Sequence, residues 1–238
     1  MFVRPIWGSE STPSLLTGLT TYYRMEEASA TTRLDEIGSI DLTDVGSIGQ
    51  GDGIQGFGAQ FSSSDRLYSA GAAPSAVKLA GDRTFCFWYQ HETTPTGSTN
   101  GRVMGVDDLT NREWEITRSN SNNMGFFTWD NSLNYKAVYA SKAWVDETWY
   151  FVVAYYDQAG QEIGISIDNG AFSTGAIVDT TMNTSTSEAF EIGGVSGTST
   201  RWLSGNLDEI GVWNRVLPAD EITWLYNGGT GRAFSELV

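Results

Sequence analysis

The stretch that decides the fold runs from Gly205 to Gly229 and reads GNLDEIGVWNRVLPADEITWLYNGG. It opens with alternation, which predicts a strand with Leu207, Glu209, Gly211 and Trp213 on one face. Asp208, Ile210 and Val212 would then share the other face. A short amphipathic helix is predicted next. Pro218 suits its first turn, Asp220 and Glu221 suit its positive N-terminal end, and Ile222, Leu225 and Tyr226 form one stripe. Asn227-Gly228-Gly229 supplies residues that tolerate the left-handed backbone closing a helix.

Working outward, the strongest strand signal is Trp149 to Tyr156, WYFVVAYY, rich in β-formers. Asp157-Gln158-Ala159-Gly160 turns the chain, Glu162 to Ile167 returns as an alternating strand, and Asp168-Asn169-Gly170 is a hairpin signal. Phe85 to Tyr89 is almost continuously apolar, as expected of a strand buried on both faces. The first strand is predicted within Gly18 to Glu26, with Tyr22 and Tyr23 facing opposite sides. Leu34 to Leu42 reads as a Gly-bent loop leading into a strand. Phe190 to Gly194 and Arg201 to Leu203 read as the last strands before the closing motif, and Asp179 to Ser187 as a loop.

These signals resemble laminin-G-like, concanavalin A-like jelly-roll domains. The closing strand–helix motif is similar to theirs, as is W-x(4)-W-x(6)-Y-D-x-x-G, here Trp144, Trp149, Tyr156, Asp157 and Gly160. The strand Gly56 to Phe61 and Asp65-Arg66-Leu67-Tyr68 after it follow the same pattern. Pro218 departs from the family, which usually has a capping Ser there. The resemblance covers roughly residues 18–229 and implies an all-β fold: one antiparallel β-sandwich of jelly-roll type with one short C-terminal helix. The chain divides into an N-terminal arm, 1–17, and a jelly-roll domain, 18–238. Phe2, Ile6 and Trp7 in the arm are candidates for docking into a partner or for packing on the chain's own sandwich.

Charge narrows the partners. Fourteen Lys and Arg against 29 Asp and Glu give a net charge of −15, which disfavours nucleic acid and anionic membranes. It also keeps an aromatic-rich chain soluble. No run approaches the roughly 20 apolar residues of a membrane span. Cys86, in Thr84-Phe85-Cys86-Phe87-Trp88-Tyr89, reads as a buried strand thiol, and His91 is the sole histidine. Cys/His catalysis finds no recognisable signature.

Many members of the resembled family bind a calcium ion, and Asp35, Asp41 and Asp208 occupy the matching acidic positions. Calcium takes six to eight oxygens, and a Gly-containing loop can offer carbonyls to it. The alternative is that Asp35 and Asp41 make loop hydrogen bonds and Asp208 satisfies buried backbone donors. Retaining glucanases of the fold use E-x-D-x-x-E, which is absent. Glu113-Trp114-Glu115 offers two carboxylates on one face, and a solvated strand face explains the pair better. For sugar binding the candidates are Asn120 to Asn123, Phe126, Phe127, Trp129, Asn131, Asn134 and Tyr135. The competing reading makes Phe127 and Trp129 core residues and gives the Asn residues to turns.

The expectation is therefore a non-enzymatic adhesion or assembly module. Met1 to Glu10 shows no apolar export segment, so either a leader is missing or the chain is made in the cytoplasm. The second case points to a phage virion surface protein, decorating the capsid or forming part of the tail. Its partners would be particle proteins or cell-surface glycans, and a homo-oligomer is allowed. The alternative is a carbohydrate-binding module of a bacterial surface or secreted protein, with a glycan-active enzyme ranked below both.

Overall fold

A computed structural model describes residues 15–62, 64–92, 101–119, 122–177, 181–198 and 200–237. The arm residues Phe2, Ile6 and Trp7 lie outside the described residues. Strands are numbered in chain order, and all pairs are antiparallel. One sheet runs β13 (Ser173–Ala176), β12 (Glu162–Ile167), β11 (Thr148–Asp157), β6 (Arg83–His91), β15 (Gly205–Trp213), β4 (Phe57–Phe61), β3 (Gly49–Asp52). The strand β1 (Leu19–Tyr23) also pairs with β15. The second sheet runs β10 (Tyr135–Ser141), β9 (Asn123–Trp129), β8 (Arg112–Ser119), β7 (Gly101–Asp107), β14 (Phe190–Ile192), β5 (Arg66–Ser69), β2 (Leu42–Val45).

The two sheets enclose one core, to which β6 gives Phe85, Phe87 and Tyr89, β8 gives Trp114 and Ile116, and β9 gives Met124 and Phe126. A second apolar cluster lies outside the first sheet. There Cys86 and Trp88 of β6, Phe151 and Val153 of β11, and Trp213 meet Ile222 and Leu225 of the helix α1 (Ala219–Tyr226). β6 is thus buried on both faces, which explains its unbroken apolar run. Tyr23 enters the core and Tyr22 the outer cluster, on opposite sides as predicted.

The helix forms where the sequence places it. Pro218 is its N-cap, with no side-chain cap bond, and Asn227 closes it in the left-handed conformation at φ 47°. Asp168 and Asn169 both have positive φ, and Gly170 N–H donates to Ile167 O at 3.1 Å, as in a type I′ turn. Arg201 to Leu203, by contrast, form no strand; they run as a connection whose carbonyl at Arg201 accepts from Arg102 N–H at 3.1 Å.

The strict alternation expected for β15 does not hold. Leu207, Ile210 and Val212 all face the core, while Asp208 pairs with Trp88 on the outer side that also holds Trp213. A bulge between Asp208 and Gly211 absorbs the extra residue, and Glu209 takes φ +47° within it. One inserted residue reverses the phase of everything that follows. The bulge falls where β15 changes its neighbour from β4 (pairing at 205–207) to β1 (pairing at 210–213).

Candidate functional site

Among the described residues no helix covers the outer face of the second sheet. Because Trp114, Ile116, Met124, Phe126 and Val138 point inward, their alternates Glu115, Phe127, Trp129, Tyr135 and Tyr139 point outward. Cross-strand pairing puts Glu115 opposite Phe127 and Trp129 opposite Tyr135. The rings form a continuous group: Phe127 stacks on Trp129 at 5.9 Å and 15°, Tyr135 lies 6.2 Å from Trp129, and Tyr139 meets Phe127 edge-on at 5.5 Å. Gly125 makes room for this. A Cβ there would sit 2.9 Å from the Phe127 ring and 3.0 Å from that of Tyr139.

Exposure divides the group. Tyr135 is 66% exposed and Tyr139 46%, Phe127 is half-buried, and Trp129 is only 4% exposed. The Arg112 guanidinium carbon lies 5.1 Å from the Trp129 ring centre, a cation–π distance. Arg112, Glu115, Phe127, Trp129, Tyr135 and Arg201 line an open cavity of about 310 Å³. That is near the lower end of small-ligand sites.

Below the rings lies a network of charges. Glu115 Oε2 accepts from Arg102 at 2.9 Å and from Arg201 at 2.7 Å, and Arg102 also reaches Asp107 at 3.2 Å. Burial alone would raise the Glu115 carboxyl; Arg102 and Arg201 outweigh it and hold it below the usual range. Burial also raises Asp107, against the pull of Arg102. Glu113 is buried as well, accepting from Lys78 Nζ at 3.0 Å and from the Thr186 hydroxyl. The expectation of a solvated Glu113–Glu115 face is therefore overturned. A register irregularity between Val106 and Asp107 accompanies the separation of the two carboxylates into different ion pairs.

Of the other sugar-binding candidates, Phe126 belongs to the core. Asn120 lies outside the described residues. Asn123 Oδ1 accepts from the Ser141 hydroxyl at 2.7 Å, and Asn134 donates to Asp130 from both its backbone (2.9 Å) and its amide (2.9 Å). Asn131 sits in the same tight turn, its N–H on Thr181 O at 3.2 Å. Asn131 and Asn134 serve a turn and Asn123 a cross-strand hydrogen bond, while Phe127 and Trp129 belong to the outward face and not to the core between the sheets. Arg112 and Arg201 carried no signal in the sequence; Arg201 arrives from a connection remote in the chain.

The acidic residues Asp35 and Asp41 are brought together, and Asp208 lies elsewhere. Asp35 Oδ1 accepts from the N–H of Tyr22 (3.0 Å) and Ile37 (3.1 Å), Oδ2 from Ile40 (3.2 Å), and Asp41 Oδ1 from Asp35 N–H (3.0 Å). Asp208 accepts from Gln55 N–H at 3.0 Å and Glu209 N–H at 2.8 Å. Among the described residues no three His, Cys, Asp or Glu side chains converge as a metal-binding group. Burial pushes Asp208 up to about 8 and Glu209 up to about 7, and Tyr22 hydroxyl donates to Glu209. Cys86 lies outside its sheet with its thiol pushed up by burial, whereas His91 sits on the core side against Tyr89. They form no dyad.

Comparison with known structures gives the same architecture. The binding domain of Paraclostridial Mosquitocidal Protein 1 aligns with a TM-score of 0.71 at 13% identity, over 88% of this chain and 52% of that one. The binding domain of botulinum neurotoxin serotype D aligns at 0.69 and 12%, over 89% and 52%. The binding domain of botulinum neurotoxin DC, solved in complex with rat synaptotagmin II, aligns at 0.69 and 12%, over 88% and 51%. The chain thus spans about half the length of these domains, and at such identity the likeness shows the fold. No curated protein matches. Residues 62–223, more than half of the chain, match the sequence pattern of one family, and the chain belongs to the Concanavalin A-like lectin/glucanases superfamily.

Proposed function

We propose that this chain is a non-enzymatic binding module that holds glycans on the outer face of its open sheet. One observation carries the reading: Phe127, Trp129 and Tyr135 line a cavity with two arginines at its wall. Sugars present C–H faces to aromatic rings and hydroxyls to polar side chains, and both are available here. Chemistry on a glycosidic bond needs an acid and a second carboxylate beside it. Glu115 and Glu113 are instead held in buried ion pairs, which supports binding over turnover. The structural neighbours named above are themselves binding domains.

Display on a phage particle is the wider form of this proposal. It is supported by a fold stabilised without disulfides around one buried thiol, which suits assembly in a reducing cytoplasm. Detection of the chain in purified particles by mass spectrometry would support it, and its recovery from bacterial surfaces instead would favour the bacterial module. A calcium ion at Asp35, Asp41 or Asp208 is a separate proposal. It would have to displace the backbone donors on these carboxylates, and an unchanged melting temperature with calcium and with EDTA would remove it.

A glycan array tests the central reading. The wild type should bind a defined subset of glycans, and Tyr135→Ala should weaken that binding roughly tenfold with an unaltered melting temperature. Silence of the folded wild type across the array would end the glycan reading.

A further inference from the structure

We propose that the sheet-face cavity takes a carboxylate-bearing saccharide, an assignment that rests on the glycan-binding reading above and names its ligand class. In a chain of net charge −15, this cavity is lined by two guanidiniums, Arg112 and Arg201, and one carboxylate, Glu115. Arg102 and Arg201 are matched by Glu115 and Asp107, so Arg112 supplies the excess of positive charge at the wall. Distant surface acids are screened over roughly 8–10 Å in physiological salt, which leaves the local excess to decide what enters.

Arg112 is held ready. Its Nε donates to Leu109 O at 3.0 Å and its guanidinium carbon lies 5.1 Å from the Trp129 ring centre, while its terminal amino groups have no hydrogen-bond partner among the described residues. Arg201 uses one amino group on Glu115, and its buried Nε–H has no partner among the described residues. A neutral hydroxyl satisfies one such donor at a time. A planar carboxylate accepts two parallel N–H bonds from a guanidinium fork, and the charge on both sides shortens and strengthens them. Tyr135 and Phe127 beside the fork offer ring faces to the sugar. The arrangement fits a sugar ring carrying its acid group at one edge, as a uronic or sialic acid does. Long polyanions such as nucleic acid are opposed by the charge of the whole chain.

The test is an array of uronic- and sialic-acid glycans beside their carboxyl methyl esters, neutral glycans and sulfated glycans. The acid forms should bind, and esterification should weaken binding roughly 10- to 100-fold, the worth of a charged hydrogen bond. Arg112→Gln should abolish the difference between acid and ester, and Arg112→Lys should restore part of it, with melting temperatures confirming that both variants fold. Tyr135→Ala should weaken acid and ester alike. Equal binding of acid and ester, or binding confined to neutral or sulfated glycans, overturns the carboxylate assignment and leaves the glycan reading standing. Absence of binding to every glycan defeats both.

Discussion

The outer face of the sheet built on β6, β11 and β15 is sealed by the C-terminal helix, whereas the outer face built on β8, β9 and β10 carries its aromatics to solvent. On the sealed side Trp213 is fully buried, its indole N–H on Leu15 O at 2.7 Å, against Leu217, Ile222 and Leu225. On the open side Tyr135 has no such cover and guanidiniums stand beside the rings. Both faces are aromatic. What separates them is whether a later segment of the chain returns to cover them, so aromatic content alone marks neither core nor site.

The largest expected effect breaks the sealed face. Trp213→Ala should cost about 3–5 kcal/mol, through the cavity it leaves and the lost partner of Leu15 O, read as a lower urea midpoint. On the open face Tyr135→Ala should change stability by less than about 0.5 kcal/mol while lowering glycan affinity roughly tenfold. If both substitutions proved equally destabilising, the contrast between the faces would be false.

Two smaller effects sharpen it. Burial raises Asp208 to about 8 and Glu209 to about 7, above their ordinary values of 3.8 and 4.5. A carboxyl that keeps its proton in the folded state but loses it on unfolding stabilises the fold at low pH. That stability is lost as pH rises towards the folded value. Urea midpoints should therefore fall between pH 5 and pH 8, and Asp208→Asn should flatten the decline; a steeper decline in the variant would refute the assignment. Smallest is Pro218→Ser. A serine cap adds about 0.5–1 kcal/mol, and removing proline costs a similar amount through the unfolded chain, so the midpoint should stay within about 0.5 kcal/mol.

Much of the fold was legible because its signals are local. The apolar run of β6, the β-formers of β11, the turns at Asp157 and Asp168 and the helix stop at Asn227 all stand where the sequence puts them. The phase of β15 was not legible, since a bulge at Glu209 depends on which strands flank it. Nor was the state of Glu113 and Glu115. Their spacing suggests a solvated face, and only Lys78, Arg102 and Arg201, brought in from other segments, turn them into buried ion pairs. The aromatic candidates Phe127, Trp129 and Tyr135 were named from sequence, but nothing local told their outward face from a core face.

By itself, then, the sequence determined the strands β6 and β11, the closing helix and its stop, the chain's acidity and the buried place of Cys86, because periodicity, turn chemistry and composition act over a few residues. Only the tertiary structure decided which face the helix seals, which aromatics remain open, and that Arg112 and Arg201 line one cavity with Tyr135. Those outcomes depend on contacts between segments far apart in the chain, where no local pattern reaches.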